Sequence, residues 1–218
     1  MAELPQEWEV TPEPGWVAED LAEEFPGLGL LHTTLERGSG RSPEALKEQM
    51  RELSNRFAGA QAINLRQRPI PWAYRVFFRH IGLDPDQTPT PVEQCSLDRM
   101  RDGHFKSRNR LDDAIVIATI EVGAAMRAFD ADRISGRLGL RLSEPGERFE
   151  GRTYPLPDGT IVIADEERAL EVLFGATATG RGVSSKTTRT TLAAIQVRGV
   201  PGVALEEALW LAASAMNA

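Results

Sequence analysis

The chain has little of the chemistry on which several protein classes depend. Among its 218 residues there is one cysteine, Cys95, so an intramolecular disulfide is excluded and a reducing compartment is expected. The three histidines, His32, His80 and His104, are far apart in sequence, and none has a second ligand at metal spacing. Neither a metal nor any other cofactor is therefore predicted. No GxSxG motif occurs, and Cys95 lacks a positional partner for a Cys–His nucleophile, so catalytic residues stay unassigned.

Long apolar runs are also missing. No run approaches the roughly 20 residues that span a bilayer, and the N-terminus lacks the basic start and apolar core of a signal peptide. A cytoplasmic protein without membrane contact is therefore expected. The net charge of −7 argues against nucleic-acid binding by bulk electrostatics, because phosphate contacts depend on Lys and Arg. A local basic groove remains compatible with it.

The composition indicates a globular protein. Hydrophobic residues make up 41% and charged residues 26% of the chain, and the length fits one domain. Residues 1–26 are acidic and rich in proline, so we interpret them as an N-terminal arm. Residues 27–218 are expected to form a single domain.

Apolar periodicity predicts the main elements. Helical spacing of apolar residues predicts four helices. The first begins with Ser42 as N-cap before Pro43 and ends near Gly59, and the others cover residues 72–81, 92–102 and 203–216. Alternating or continuous apolar runs between turn signals predict strands at 27–36, 137–142, 153–156, 160–164 and 191–198.

The central stretch, 109–136, contains a nearly apolar segment that is interrupted by one acid, Glu121. An ionised carboxylate in such a run needs a partner, a hydrogen bond or solvent. Glu121 therefore lies either on the wet side of an amphipathic element or in a pocket. Local propensity is divided as well, because Ile115, Val116 and Ile117 are β-branched and favour a strand.

Basic residues are concentrated just before this stretch. Lys106, Arg108 and Arg110 form the densest positive cluster and predict a landing place for an anionic ligand such as tRNA. Arg66 and Arg68 are candidates for the same role, although an ordinary solvated helix face is the commoner explanation for such residues.

A glycine-containing loop follows later in the chain. Gly175 and its neighbours have the spacing of a phosphate loop, but Arg181 and Gly182 replace the lysine and the hydroxyl residue. We therefore interpret 175–191 as a loop whose backbone N–H groups and hydroxyls approach a ligand.

An ordered set of residues resembles the editing domain of the phenylalanyl-tRNA synthetase beta subunit, its third and fourth modules, which also exists as free-standing proteins. The residues that carry the resemblance are Asn109, Leu111, Asp112, Asp113, Glu121, Gly123, Met126, Ala128, Phe129, Asp130, Asp132, Arg133, Ile134, Gly136, Gly146, Glu147, the run from Leu156 to Asp165, Ala169, Leu170, Phe174, Gly175, Ser184 and Thr190. Upstream, Trp72, the run from Gly82 to Pro85 and the run from Pro91 to Glu93 are similar to the free-standing relatives.

The resemblance implies an α+β fold, with N-terminal helices packed on a mixed, mostly antiparallel sheet. It also implies a helix over the central apolar segment, followed by a strand at 126–130. Its implied substrate pocket consists of Asn109, Asp113, Glu121, Arg127, Ser184, Thr190 and Gln196. Three polar positions depart from the family, because Val116 replaces an Asn, Arg127 a His and Gln196 a Glu.

Three functions follow as hypotheses. The first is a free-standing relative of the editing domain that binds tRNA or an aminoacyl group and acts as a metal-independent aminoacyl-tRNA deacylase in trans. The second is a non-catalytic module that binds an amino acid, a peptide or tRNA in a remodelled pocket. The third is an interaction scaffold without a small ligand. The amino acid, the tRNA and the oligomeric state are not predicted.

Overall fold

The computed structural model describes residues 10–57, 61, 64–150, 152–178 and 182–218, and within these residues the chain has the predicted α+β fold. Its helices are α1 (Glu19–Glu24), α2 (Glu44–Arg56), α3 (Pro69–His80), α4 (Pro91–Asp102), α5 (Arg110–Val122) and α6 (Gly202–Asn217). Its strands are β1 (Glu13–Pro14), β2 (Trp16–Val17), β3 (Gly29–Leu35), β4 (Ala125–Asp130), β5 (Gly139–Leu142), β6 (Ile161–Ala164), β7 (Ala169–Val172) and β8 (Thr190–Gln196).

The strands form two four-stranded sheets. The first has the antiparallel order β1-β3-β8-β4, so β8 is central. The second has the order β2-β5-β6-β7 and contains one parallel pair, β2 with β5. In β8 every residue from Thr190 to Ile195 is buried, and Ala193 and Ala194 lie fully inside. Their small side chains let elements on both faces of the first sheet approach closely.

The helix implied at the centre of the chain is confirmed as α5, despite its β-branched residues. The side chain of Asn109 caps its start by accepting a hydrogen bond from the Asp112 N–H at 2.9 Å. Gly123 ends it with φ +87°, a conformation that favours glycine. Buried residues of α5, such as Ile117 and Ile120, join the main core, so tertiary packing outweighs their weak strand preference.

Other elements differ from the sequence predictions. The strand expected at 153–156 is wrong, because this segment lies in an irregular connection, where the Leu156 N–H donates to the Glu147 carbonyl at 2.7 Å. Helix α1 and strand β7 were not predicted. Residues 10–26, expected as part of an arm, include β1 and β2, which pair with both sheets. Residues 1–9 and the expected helix end near Gly59 lie outside the described residues.

The Asp113 carboxylate holds three chain segments together near the start of α5. It is 1% exposed. One oxygen accepts hydrogen bonds from the hydroxyls of Ser42 and Ser107, each at 2.6 Å, and the other accepts from the Arg108 N–H at 2.9 Å. Ser42 therefore does not cap α2 as expected, and Pro43 occupies the N-cap position instead.

We expect Asp113→Ala to lower the free energy of unfolding by at least about 3 kcal/mol, since hydrogen bonds to a charged acceptor contribute roughly 1.5–3 kcal/mol each. Urea unfolding followed by circular dichroism measures this loss. The control is Asp98→Ala, which removes a half-exposed acid that pairs with Arg101 on the surface of α4. It is expected to cost at most about 1 kcal/mol. Equal losses in the two variants would contradict the assigned role of Asp113.

Candidate functional site

The loop between β3 and α2 brings four of the expected pocket residues into one region. Its backbone carbonyls at Ser39 and Gly40 accept from the first residues of α5, which places Asn109 and Asp113 beside it. The Ser39 hydroxyl donates to the Ser184 carbonyl at 3.2 Å, and the Thr190 hydroxyl donates to the Arg37 carbonyl at 2.7 Å. Asn109, Asp113, Ser184 and Thr190 therefore surround one loop.

Hydroxyl groups are concentrated in this region. The Ser184 and Thr187 side chains form a small turn, in which the Thr187 hydroxyl accepts from the Ser184 N–H at 3.0 Å. The same Thr187 hydroxyl donates to the Asp130 carboxylate at 2.7 Å, which fixes the turn to the end of β4. The turn belongs to the predicted ligand loop at 175–191, of which residues 179–181, including Arg181, lie outside the described residues.

A cavity of about 210 Å³ lies beside the start of α5, between α4 and the connection that precedes α5. Lys106 and Arg108 line it and are exposed. Among the described residues, neither side chain has a carboxylate partner. With Arg110, they form what we call the basic edge. The Arg110 Nε is buried and lacks a hydrogen-bond partner among the described residues.

The acids around this cavity are already engaged. Asp98 and Asp102 pair with Arg101 at 3.1 and 3.0 Å, and these contacts hold the pKa of Asp102 below its usual value. Asp112 accepts from the Asn109 side chain at 2.8 Å, and Asp113 holds the three donors described above. The positive charge of the basic edge is therefore not cancelled by direct ion pairs.

The cavity wall also contains the chain's one cysteine. Burial raises the pKa of the Cys95 thiol to about 11, and nearby Asp98 acts in the same direction. The thiol is therefore protonated at neutral pH and is not poised as a nucleophile.

Arg127, which the resemblance places in the pocket, joins the two sheets at a separate location. Its Nε donates to the Glu171 carboxylate at 2.5 Å, and the other Glu171 oxygen accepts from the Thr177 hydroxyl at 2.9 Å. The guanidinium lies 5.4 Å from the centre of the Phe174 ring. Glu171 is 4% exposed, so Arg127 supplies the countercharge that its burial requires.

The sequence analysis identified neither Glu171 nor Thr177 as part of this arrangement, and it did not predict that Phe174 contacts Arg127. Phe174 has φ +61°, a conformation that is costly for a bulky residue, and contacts Tyr74, Phe77 and Phe78 through its ring. One signal was available for Glu171, because a single acid interrupts an apolar run there, as Glu121 does in α5.

The remaining two expected pocket residues lie elsewhere. Gln196 ends β8, six residues or about 20 Å along the strand from Thr190. Its amide donates to the Val200 carbonyl at 3.3 Å. Glu121 lies in the last turn of α5 and pairs with Arg56 at 2.6 Å, in a groove between α2, α5 and α6. The structure does not gather all the expected pocket residues into one site.

The basic residues expected before α3 have different environments. Arg66 is 3.0 Å from the Glu93 carboxylate and 3.6 Å from Asp86. The buried Arg75 also donates to Glu93 and Asp86, each at 2.5 Å. These contacts make Arg66 part of an internal ion network. Arg68 is exposed and has no carboxylate partner among the described residues.

No group of three or more His, Cys, Asp or Glu in the described part of the chain is arranged to hold a metal ion. No described helix is both long and apolar enough to cross a membrane.

Comparisons with known proteins agree with the resemblance in the sequence. The phenylalanine–tRNA ligase beta subunit of Idiomarina loihiensis is 32% identical over 103 residues, which cover 45% of this chain and 13% of that protein. The beta subunit of Xanthomonas campestris pv. campestris is 34% identical over 115 residues, or 50% of this chain and 13% of that protein. That of Legionella pneumophila is 34% identical over 76 residues, or 34% and 10%. The chain thus spans only about 13% of the length of the first two relatives.

A family model described as the B3/4 domain matches residues 73–206, from α3 into the first turns of α6. The match includes the basic edge, the turn formed by Ser184 and Thr187, which we call the hydroxyl turn, and the Arg127–Glu171 pair. Because it covers more than half of the sequence, the chain belongs to the B3/4 domain family.

Proposed function

We propose that this B3/4 domain binds tRNA through the basic edge at the start of α5. The observation that carries the proposal is the contrast within the cavity, where the carboxylates have close internal partners and Lys106 and Arg108 form no close ion pair among the described residues. Exposed cations without internal partners are available to phosphates, and their binding releases counterions from the nucleic acid. The tRNA ligase relatives make tRNA the nucleic acid of choice.

Because the chain as a whole is acidic, tRNA binding is confined to one local surface. A protein of net charge −7 repels nucleic acid over most of its surface, so binding must be confined to the part that is positive. Few phosphate contacts then form, and the affinity is weak and sensitive to salt. The proposal also implies a cytoplasmic protein of translation.

The double variant Lys106→Gln with Arg108→Gln is expected to weaken tRNA binding about tenfold and to reduce the salt slope of log Kd by about 2, one unit for each lost phosphate contact. Fluorescence anisotropy with end-labelled tRNA at several salt concentrations measures both quantities. Circular dichroism checks that the variant is folded.

The matched control removes the same charge from two exposed arginines elsewhere, Arg148→Gln with Arg198→Gln. Neither has a carboxylate partner among the described residues, and Arg198 lies past the far end of β8. The control is expected to change Kd by less than twofold. A loss of affinity as large as that of the basic-edge variant would attribute binding to total charge and would contradict the proposal.

A second candidate function is hydrolysis of a mischarged aminoacyl-tRNA in trans. The hydroxyl turn favours it, because Ser184 and Thr187 lie next to the loop that contacts the start of α5. Bound phosphates at the basic edge would bring the tRNA end close to neutral donors that can orient a water molecule. That water would attack the ester carbonyl and release the amino acid and the tRNA hydroxyl.

The Arg127–Glu171 pair favours the non-catalytic alternative. The resemblance implies a histidine at position 127, and a histidine can exchange a proton near neutral pH. The arginine here stays charged and is held by Glu171, and Glu171 is held in turn by Thr177. This position therefore supplies neither a base nor an acid, which fits a remodelled binding pocket.

A deacylation assay separates the two candidates. If the hydroxyl turn positions the water, the protein accelerates loss of tyrosine or another amino acid from tRNA, and Ser184→Ala lowers the rate about tenfold without changing tRNA Kd. Ser185→Ala, which changes the next residue, is the control. Acceleration that survives Ser184→Ala unchanged would exclude this turn as the site. If the protein does not accelerate deacylation of any charged tRNA, the non-catalytic binding module remains as the function.

A further inference from the structure

A second surface, which the proposed function does not use, lies at the opposite end of α5. Helices α2, α5 and α6 form a groove of about 470 Å³. We call it the Trp210 groove and define it by Glu52, Leu53, Ile117, Glu207, Trp210 and Leu211. Leu53 and Ile117 are buried and form its apolar floor, whereas Trp210 is 53% exposed at its side.

The exposure of Trp210 needs an explanation. The other face of α6 is inside the protein, where Leu205, Leu209 and Ala212 are completely buried. Trp210 instead directs a large apolar ring to the surface beside a concave apolar floor. Exposed tryptophans next to such floors are typical of the residues that dominate binding energy in protein–protein interfaces.

The charge of the groove selects the sign of its occupant. Three carboxylates and one guanidinium line it, and the guanidinium, Arg56, pairs with Glu121. Glu52 and Glu207 are exposed and have no cationic partner among the described residues. The nearby Arg51 is engaged with Glu44 and Glu48. Two unneutralised carboxylates therefore flank the exposed indole.

We propose that the Trp210 groove binds a basic amphipathic helix of a partner protein. Lysine or arginine side chains of that helix meet Glu52 and Glu207 and lie over the Trp210 ring, which attracts cations through its π face. Apolar side chains on the same helix face contact Leu53 and Ile117. The groove runs along α6 from Glu207 to Ala215, about 12 Å or two helical turns. This length suits a helix with apolar residues one turn apart.

This surface is independent of the proposed tRNA contact. The basic edge lies at the first residues of α5, and the groove lies beside Ile117 and Glu121, in the second half of the same helix. Phosphates are repelled by Glu52 and Glu207, so RNA is not the occupant. Loss of one surface is expected to leave the other intact.

The test uses a synthetic 18-residue helical peptide that contains only Leu, Ala and Lys, with Leu on one face and Lys on its two flanks. A second peptide replaces each Lys by Glu. Each peptide is labelled, and its Kd for the full chain is measured by fluorescence anisotropy. The protein variants are Trp210→Ala and the double variant Glu52→Gln with Glu207→Gln.

Two matched controls are available in the chain. Trp72→Ala removes another tryptophan of similar exposure, 50%, which does not line the groove. The pair Glu23→Gln with Glu206→Gln removes two exposed carboxylates, one of them adjacent to Glu207 but outside the groove lining. This pair changes the net charge as much as the groove variant does.

We expect both groove variants to weaken binding of the Lys peptide at least tenfold, and both controls to change it less than twofold. The Glu peptide is expected to bind at least tenfold more weakly than the Lys peptide. Equal weakening in the groove and control variants, or equal binding of the two peptides, would overturn the proposal. So would a wild-type dimer in sedimentation that Trp210→Ala dissociates, since a second copy would then be the occupant.

Discussion

The architecture around the basic edge depends on one buried carboxylate. Asp113 is almost inaccessible to water, and an ionised group in that position is tolerated only with enough hydrogen-bond donors. Its donors come from two separate segments, one containing Ser42 and the other Ser107 and Arg108. Satisfying the charge therefore fixes the loop before α2 and the connection before α5 at the same place. The exposed cations of that connection become fixed with it.

The same principle explains why the resemblance transfers the fold more completely than the pocket. Besides Asp113, three acids that carry it accept hydrogen bonds from backbone, hydroxyl or guanidinium groups and so hold loops in place. Asp130 holds Thr187 and the Asp132 N–H, and Asp165 accepts from three backbone N–H groups. Glu147 binds Arg141 through two bonds of 2.7 and 2.6 Å, which keeps its pKa below the usual value. These acids specify how loops close, a requirement that persists when a ligand changes.

The extent of successful sequence prediction follows from the range of the interactions involved. Helices α2, α3, α4 and α6 could be predicted from local apolar periodicity, because the residues that each helix buries recur at helical spacing within its own segment. The helical state of α5 did not follow from its β-branched residues. It depends on packing against distant elements, and only the resemblance carried that information. The resemblance in turn placed Arg127 and Glu121 in one pocket, whereas in the structure each is held by a partner of its own, Glu171 and Arg56, which lie 44 and 65 residues away in sequence. No local sequence pattern identifies partners that are so far apart in the chain.

The two ends of helix α5 differ in which charged side chains lack a close ion-pair partner among the described residues. Near its first turn, Asp98 and Asp102 pair with Arg101 and Asp112 accepts from the Asn109 amide, so none of these contacts uses Lys106 or Arg108. Near its last turn the pattern is reversed, because Arg56 pairs with Glu121, and Glu52 and Glu207 have no cationic partner in the part of the chain that the structure describes. Net charge alone predicts neither region. What decides the sign at each end is which charges find partners inside the protein, since a close ion pair contributes almost no field at the distance of a ligand. Under the two proposals, partners of opposite charge would bind at separate surfaces of one small domain and would not compete.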